Sequence, residues 1–488
     1  MIPQTLKSLL PFALAAMFLV GCAVGPTHQP PKVAVDASFN RATPEIYGPA
    51  EPIAQYWMQF NDPLLNRLVA EALASNYDIQ IAVARLREAR ALHRLSKFDR
   101  YPTVTTEADF TKSKLSTDQG LGFPSNLLQN ELYDANFDAY WELDFFGRVK
   151  HSIEAQRAEA QATAYDLHAV QISVTSEVAR NYMELRGLQN QLLVAEQNAK
   201  NQSSTLELTD ARLSAGRGTD FDSERARAQL NSTLASIPTF KAQIASDEHR
   251  LAVLAGRGPS AFRDELDRPA DLPTPPEKID VSSPEGLLRR RPDIAAAERR
   301  LAEQTALVGV SVADLFPRVV FSGRLGLGVS DFTNIGSSGS SSYSFGPSVT
   351  WPAFNLGRVR AQIRASKARD DQALARYQQT VLTAIEETEN ALVALEQARA
   401  RRDRLADAAL ASKHATELAQ IRFEGGLADF LQVLDAERTQ LDAEDRLAQS
   451  RTDTATATIA LYKALGGGSP NDRVHTSSTA SKNPDSPL

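Results

Sequence analysis

The chain has 488 residues, of which 42% are hydrophobic and 7% aromatic, and its formal net charge at pH 7 is −7. This length is ample for a folded core, and the low aromatic content suits helices that pack closely along their length. Because the charge includes no basic block, nothing in it indicates nucleic-acid binding. The single cysteine excludes an intramolecular disulfide and a cysteine-based metal site. Phosphate-binding, dinucleotide-binding and nucleophile-elbow motifs are missing, so we expect no enzyme, no cofactor and no metal site.

The N-terminus has the features of a secretory signal. Residues 1–21 contain an apolar stretch from Leu9 to Val20 that is too short and wrongly flanked for a membrane-spanning helix. Small residues directly before Cys22 resemble the bacterial lipobox, in which the cysteine becomes the lipidated first residue. We therefore predict lipidation at Cys22; the alternative is an ordinary buried cysteine in a core helix. In the lipoprotein pathway, Ala23 at the next position favours passage to the outer membrane.

Two long stretches poor in glycine and proline dominate the chain. Between Arg358 and Glu424 there is neither residue, and a helix of this length would extend about 100 Å. The earlier stretch is similar, and both begin with a Gly-Arg-Val sequence, at Gly147 and Gly357. The same offset of 210 residues pairs Glu177 with Glu387, Gly216 with Gly426, Ala226 with Ala436 and Gly256 with Gly466. The chain therefore consists of two tandem copies of one unit.

In each copy the hydrophobic pattern changes to a period of two, which is typical of β-strands. For example, Ala135 and Phe137 alternate with Asn136 and Asp138. Strands are predicted at about 103–113, 131–144, 318–330 and 342–351. One apolar and one polar face are typical of a transmembrane β-barrel with a water-filled lumen. The alternative is a soluble sheet that covers a core on one face.

Four strands are too few to close a barrel, for which about eight are the practical minimum. Open sheet edges cannot face lipid, because their backbone groups would go unpaired. If these strands lie in a membrane, several chains must share one barrel. Within the last strand, Pro347 cannot donate to the ladder, so we expect a bend or a missing bond there.

Each long helix is predicted to end in a glycine-containing turn that leads into a returning helix. Pro238 should kink or interrupt the first of these return helices. The long helices are predicted at about 147–215 and 357–424, and the return helices at about 219–256 and 428–465. The predicted segments are a signal peptide at 1–21, a lipidated strap at 22–55, a first repeat at 56–270, a linker at 271–284, a second repeat at 285–467 and a disordered tail at 468–488.

A lipobox-like start and two copies of helix, β-hairpin, long helix and return helix together resemble the TolC-like outer membrane factors. Among these, the chain is most similar to the lipoprotein (NodT/OprM-like) branch of resistance-nodulation-division efflux systems. The resemblance covers nearly the whole mature chain. It implies a homotrimer that forms a twelve-stranded β-barrel in the outer membrane and an α-helical tunnel across the periplasm of a Gram-negative bacterium. It also implies a passive duct for small molecules, to which an inner-membrane pump is joined by a periplasmic adaptor, the membrane fusion protein.

The resemblance also implies a gate at the periplasmic end. In the family this constriction uses a Leu, an Asp four residues on and an Arg three beyond, and Leu431, Asp435 and Arg438 match that pattern. Their spacing puts them on one helical face. Three carboxylates converging in a narrow pore should repel unless Arg438 or a cation neutralises them. The plainer alternative for Asp435 is a solvated charge on the flank of a coiled coil.

The tips of the helical hairpins are the candidate adaptor surface. The predicted contact residues are Arg212, Leu213 and Gly216 at the first tip and Arg422, Phe423 and Gly426 at the second. Two other functions stay open from the sequence. One is a duct for type I protein secretion, which uses the same family fold. The other is a periplasmic lipoprotein adaptor or stalk, against which two hairpins and four amphipathic strands count.

Overall fold

The computed structural model describes residues 23–116, 124 and 129–467. Within these ranges the helices are Pro63–Ser75, Tyr77–Phe98, Arg148–Ser214, Asp220–Leu254, Arg263–Leu266, Pro284–Arg290, Pro292–Ala313, Leu356–Glu424 and Phe430–Ala464. The strands there are β1 (Tyr47–Gly48), β2 (Thr103–Lys114), β3 (Gln129–Leu143), β4 (Ile279–Asp280), β5 (Arg318–Val329) and β6 (Ser341–Thr350). None of the helices in these ranges has the length and hydropathy needed to cross a membrane.

Four of the helices form two pairs, each of a long helix and a return helix. The first long helix is Arg148–Ser214 and the first return helix is Asp220–Leu254. The second long helix is Leu356–Glu424 and the second return helix is Phe430–Ala464. The predicted signal peptide with Cys22, and the predicted tail at 468–488, lie outside the described residues.

The chain forms two compact units. The first unit includes Arg85–Ala164 and Ala296–Gln378 and contains an antiparallel sheet of four strands in the order β2-β3-β5-β6. In this sheet Phe137 of β3 lies opposite Thr106 of β2 and Leu325 of β5, and Leu325 lies opposite Tyr343 of β6. Because opposed residues share a face, the period-two pattern of all four strands gives one continuous apolar face.

The other face of the sheet is polar. Asn136 is buried on it, and two residues further along β3 Asp138 accepts a 2.8 Å hydrogen bond at Oδ1 from Arg324 Nε. Pro347 of β6 lies opposite Phe321 of β5, and the register continues on both sides of Pro347. β6 is an outer strand of the sheet. An outer strand pairs on one side only, so it tolerates a residue without an N–H group.

The start of the described chain is fixed within the first unit. The amide of Val24 donates to the carbonyl of Phe146 at 3.1 Å, and the Val24 carbonyl accepts from His151 Nε2 at 3.0 Å. A Cβ on Gly309 would lie 2.7 Å from the His151 ring, so only glycine allows this close approach. The residues directly after Cys22 are therefore held beside the start of the first long helix.

The second unit includes Val33–Ala84, Tyr165–Ala295 and the chain from Gln379 onward. Here the strap and the linker form a short parallel pair, β1 with β4, in which Tyr47 lies opposite Ile279. The Tyr47 hydroxyl donates to the Leu392 carbonyl of the second long helix at 2.8 Å. The predicted strap and linker therefore secure each other and pack on the helices, a pairing that no local pattern indicated.

The first return helix runs without interruption through Pro238, from Asp220 to Leu254. Of the two predicted effects of Pro238, the interruption was therefore wrong, and the kink stays a prediction. A proline removes one intrahelical hydrogen bond, but buried residues on both sides, Thr233 and Ile244, hold the flanking turns against the rest of the unit. Tertiary packing thus outweighs the local cost.

Candidate functional site: the helical tips and the adjoining return helices

The two turns at the ends of the long helices have the same backbone structure. At the first tip the amides of Gly216 and Arg217 donate to the carbonyls of Leu213 and Arg212, both at 2.9 Å. At the second tip, Gly426 and Leu427 make the equivalent bonds to Phe423 and Arg422, at 3.0 and 2.8 Å. This pair of bonds is the Schellman motif. Gly216 and Gly426 have φ values of 69° and 71°, the left-handed conformation that glycine adopts without steric cost.

A side chain of the first tip holds the second tip in place. The Arg212 guanidinium donates from Nη2 to the Phe423 carbonyl at 2.8 Å and lies 3.9 Å from the centre of the Phe423 ring. Phe423 is only 6% exposed and packs with Ala226, Phe430 and Val433. The Phe423 carbonyl, in the last turn of the second long helix, thus accepts from both Gly426 and Arg212. Arg212 therefore fastens the two tips of one chain together.

The predicted adaptor-contact residues fall into two groups. Gly216, Arg422 and Gly426 are exposed, and Leu213 is half-buried. Arg212 and Phe423 are instead engaged with each other between the tips. In this conformation Phe423 has no surface to offer a partner protein, and its observed contacts are those of a core residue.

The three predicted gate residues lie together on the second return helix. Leu431 is 49% exposed, and Asp435 and Arg438 are exposed on the same face. Within the described parts of the chain, neither Asp435 nor Arg438 forms an ion pair with the other or with a third residue. The other side of this helix is buried through Val433 and Glu437. The gate candidates thus form a solvent-facing row on a helix that is anchored from behind.

Three hydrogen bonds link the second return helix to the first long helix. Buried Glu437 accepts from Thr205 Oγ1 at 2.6 Å and from Gln420 Nε2 at 3.2 Å. Further from the tip, Glu444 accepts from Asn198 Nδ2 and Asp445 accepts from Gln191 Nε2, each at 3.0 Å. The donors Gln191, Asn198 and Thr205 are seven residues apart, so they lie along one side of the first long helix. These links orient the face that carries Leu431 and Asp435.

Sequence reasoning missed the exposed apolar residues at the tips. Leu427 is 76% exposed directly after the second turn, and Phe221 is 65% exposed just after the first. The Arg225 guanidinium lies 5.2 Å from the centre of the Phe221 ring. The offset of 210 residues would have located Phe221, because it pairs this residue with the gate candidate Leu431.

The arrangement defines a class of protein before any relative is considered. A sheet with one apolar face, followed by long helices that return at glycine tips, indicates a protein that places the sheet against lipid and the helical tips in water. The sequence profile of the outer membrane efflux protein family matches residues 68–257 and 284–467, one match for each repeat. The chain belongs to this family of outer-membrane efflux proteins.

Individual relatives are similar to this chain along nearly its whole length. The solvent efflux pump outer membrane protein SrpC of Pseudomonas putida is 30% identical, over 95% of this chain and 98% of its own. The solved structure of the outer-membrane channel OprN superposes with a TM-score of 0.85 at 41% identity, covering 92% of this chain and 99% of its own. The structure of the open state of the Neisseria gonorrhoeae MtrE outer membrane channel gives a TM-score of 0.79 at 27% identity, covering 92% and 98%.

These comparisons confirm several predictions from the sequence. The family resemblance is confirmed, as is the fold class of two tandem repeats that each combine a β-hairpin with long helices. The chain is an outer-membrane channel protein of an efflux system, and its family is one of transport ducts.

Proposed function

We propose that three copies of this chain form one conduit. The sheet of one copy ends in β2 and β6, whose outer edges have no partner strand among the described residues. Its apolar face is exposed, with Phe137 at 57% and Tyr343 at 75%. In a bilayer the apolar face can lie against lipid, but the open edges need the strands of other copies, because unpaired backbone groups cannot face lipid. Three copies would supply a closed twelve-stranded barrel, with the polar face carrying Asn136 and Arg324 lining the lumen.

The conduit we propose is passive and works within a tripartite pump. An inner-membrane resistance-nodulation-division pump supplies the energy, and a periplasmic adaptor joins it to the helical tips. The supporting observation is a surface of exposed groups at these tips, namely Gly216, Gly426 and the apolar side chain of Leu427. Leu213 contributes at its edge. The glycine turns hold these groups in a fixed arrangement that an adaptor can contact.

A lipid on Cys22 would anchor each copy to the outer membrane. Ala23 and Val24, the residues that follow it, are held beside Gly147 and His151 at the start of the first long helix. Only four residues separate this start from the end of β3. A lipid attached at Cys22 would therefore lie near the barrel end of the helices, where the membrane surface is expected.

The gate we propose is the solvent-facing row Leu431, Asp435 and Arg438. In a threefold assembly the row would appear three times around one axis. Its charged members make no ion pair within the described chain, so they are available to partners in other copies. Three carboxylates at one level repel unless they are paired, and an Asp435–Arg438 pair between copies would hold the tunnel shut. Opening would swing the second return helices outward and break these pairs.

Single-channel conductance in planar bilayers tests the gate. Asp435→Ala, alone and combined with Arg438→Ala, should raise the conductance because the closing pairs are lost. The matched control is Asp442→Ala, which removes an exposed carboxylate of the same helix that pairs with Arg446 at 3.0 Å. The control should conduct like the parent protein. Unchanged conductance in both Asp435 variants would remove these residues from the gate.

A further inference from the structure

The two tips are equivalent in backbone, yet their arginines differ in what they bind. Arg212 and Arg422 are related by the offset of 210 residues, and each supplies the Schellman carbonyl of its own turn. The Arg212 side chain binds the second tip. The Arg422 side chain is exposed and makes no hydrogen bond or ion pair with another residue in the described ranges. One chain thus contains two equivalent donors and uses one.

The equivalent carbonyls of the two tips also differ in how many hydrogen bonds they accept. The Phe423 carbonyl accepts from Gly426 at 3.0 Å and from Arg212 at 2.8 Å, which uses both lone pairs. Its equivalent, the Leu213 carbonyl, accepts from Gly216 at 2.9 Å, and no other donor among the described residues reaches it. The first tip therefore retains one acceptor position of the kind that Arg212 fills at the second tip.

We propose that Arg422 of one copy binds the first tip of the neighbouring copy, donating to its Leu213 carbonyl as Arg212 donates to Phe423 within the chain. This inference rests on the proposed trimer. A head-to-tail contact that repeats with a fixed rotation closes into a ring. Three chains present six tips, and each chain makes one tip-to-tip contact internally. The remaining three contacts are those that Arg422 supplies.

We call the tip-to-tip contact within one chain the internal seam and the proposed contact between tips of neighbouring chains the seam between copies. The two seams differ in chemistry. Within the chain, Phe423 packs against apolar Phe430 and Leu434. The residues 210 positions earlier are Asp220 and Glu224, so the seam between copies would place carboxylates where the internal seam has hydrophobic side chains. Asp220 is exposed, and its side chain has no hydrogen bond or ion pair in the described chain. Its charge complements that of Arg422.

Two consequences follow for the tips. The seam between copies is polar, so it separates more readily than the apolar seam within each copy. Arg422 is also occupied by the neighbouring copy, which leaves Gly216, Gly426 and Leu427 as the surface for an adaptor. The assignment of Arg422 thereby moves from adaptor contact to subunit contact.

Cysteine cross-linking in the full-length chain tests the seam. The test pair is Arg422→Cys with Ser214→Cys, and the matched control pair, 210 residues away at each position, is Arg212→Cys with Glu424→Cys. In the control the Arg212 side chain lies 3.5 Å from the Glu424 carbonyl. After treatment with a short bismaleimide, denaturing electrophoresis should show covalent dimers and trimers for the test pair. The control pair should stay monomeric while losing its free thiols, and each single variant should stay monomeric.

The native mass of the same samples in detergent distinguishes a failure of the proposed seam from a failure of the proposed trimeric conduit. A trimeric native mass with only monomers on the denaturing gel of the test pair would overturn the seam and leave the proposed conduit standing. A monomeric native mass would overturn the conduit and the seam with it. Covalent oligomers from the control pair would also contradict the proposal, because Arg212 would then reach another copy.

Discussion

The Arg212 guanidinium lies 3.9 Å from the centre of the Phe423 ring and donates to the Phe423 carbonyl at 2.8 Å, joining the tips of the two repeats. The bond is charge-assisted and ends at a carbonyl in the last turn of the second long helix, which also accepts from the Gly426 amide. The ring beneath the guanidinium is part of the apolar cluster around Val433. One side chain therefore connects the first tip to the base of the helix that carries the gate candidates.

Arg212→Ala should loosen the second tip. Loss of the charged hydrogen bond and of the contact with the ring costs about 1–2 kcal/mol. Amide hydrogen exchange at Gly426 and Leu427 should accelerate about tenfold, since about 1.4 kcal/mol corresponds to a factor of ten. Arg217→Ala, which removes an exposed arginine of the same turn, is the control. Equal exchange in the two variants would show that Arg212 does not fasten the tip.

Gly426→Ala tests the left-handed turn. No atom lies within 4 Å of a Cβ built at Gly426, so the cost is purely that of placing alanine at a φ of 71°. That cost is about 1 kcal/mol, and trypsin cleavage after Arg422 should accelerate about fivefold if cleavage follows local opening. Gly425→Ala is the control, because Gly425 does not have a positive φ. A rate unchanged by Gly426→Ala would mean that the turn does not limit cleavage.

Gly187→Ala should destabilise the protein although alanine favours helices. Gly187 belongs to the first long helix, and a Cβ there would lie 2.9 Å from the Thr452 Cβ of the second return helix. Overpacking of this kind costs about 1–3 kcal/mol, against about 1 kcal/mol gained in helix propensity.

Thermal unfolding in detergent measures this balance. The melting temperature should fall in Gly187→Ala and recover in part when Thr452→Ala is added. Gly357→Ala is the control, because nothing lies within 4 Å of a Cβ at that helical position. A higher melting temperature for Gly187→Ala would show that the two helices can move apart without cost.

Glu248 should make the stability of the second unit depend on pH. The side chain is buried and its Oε1 has no hydrogen-bond partner, and burial, together with the nearby Asp267 carboxylate, raises the pKa of Glu248 to about 7. A carboxyl whose pKa is raised on folding stabilises the protein while protonated. This contribution is lost as the pH rises from about 4.5, its ordinary value, through about 7.

Glu248→Gln removes this titration. The parent protein should lose stability between pH 5 and pH 8, by on the order of 1–2 kcal/mol, and the variant should lose less. Glu224→Gln is the control, since Glu224 is an exposed residue of the same helix. Parallel pH profiles for the parent and Glu248→Gln would contradict the raised pKa.

Much of this fold could be read from local sequence patterns. The period of two along Ala135 and Phe137 predicted strands, and the offset between Gly216 and Gly426 predicted equivalent turns. Both follow from backbone geometry, which neighbouring residues dictate. The spacing of Leu431 and Asp435 alone predicted that they share one face of a helix.

The features that the sequence did not predict are contacts between distant segments. The fastening of Phe423 by Arg212, the hydrogen bond of Glu437 to Thr205 and the pairing of Tyr47 with Ile279 each join residues more than 200 positions apart. No local pattern records such partners. Phe423 was predicted as an adaptor contact at the second tip, whereas in one chain the packing of the two tips buries it.

The central claim is that three copies share one conduit, and the native mass of the detergent-solubilised protein tests it most directly. Light scattering corrected for bound detergent should give three times the mass of one processed, lipidated chain. That result is required if the sheet edges β2 and β6 of each copy pair with those of its neighbours. A monomer that stays in solution once the detergent is removed would contradict the shared barrel, and with it the gate and the seam at Arg422.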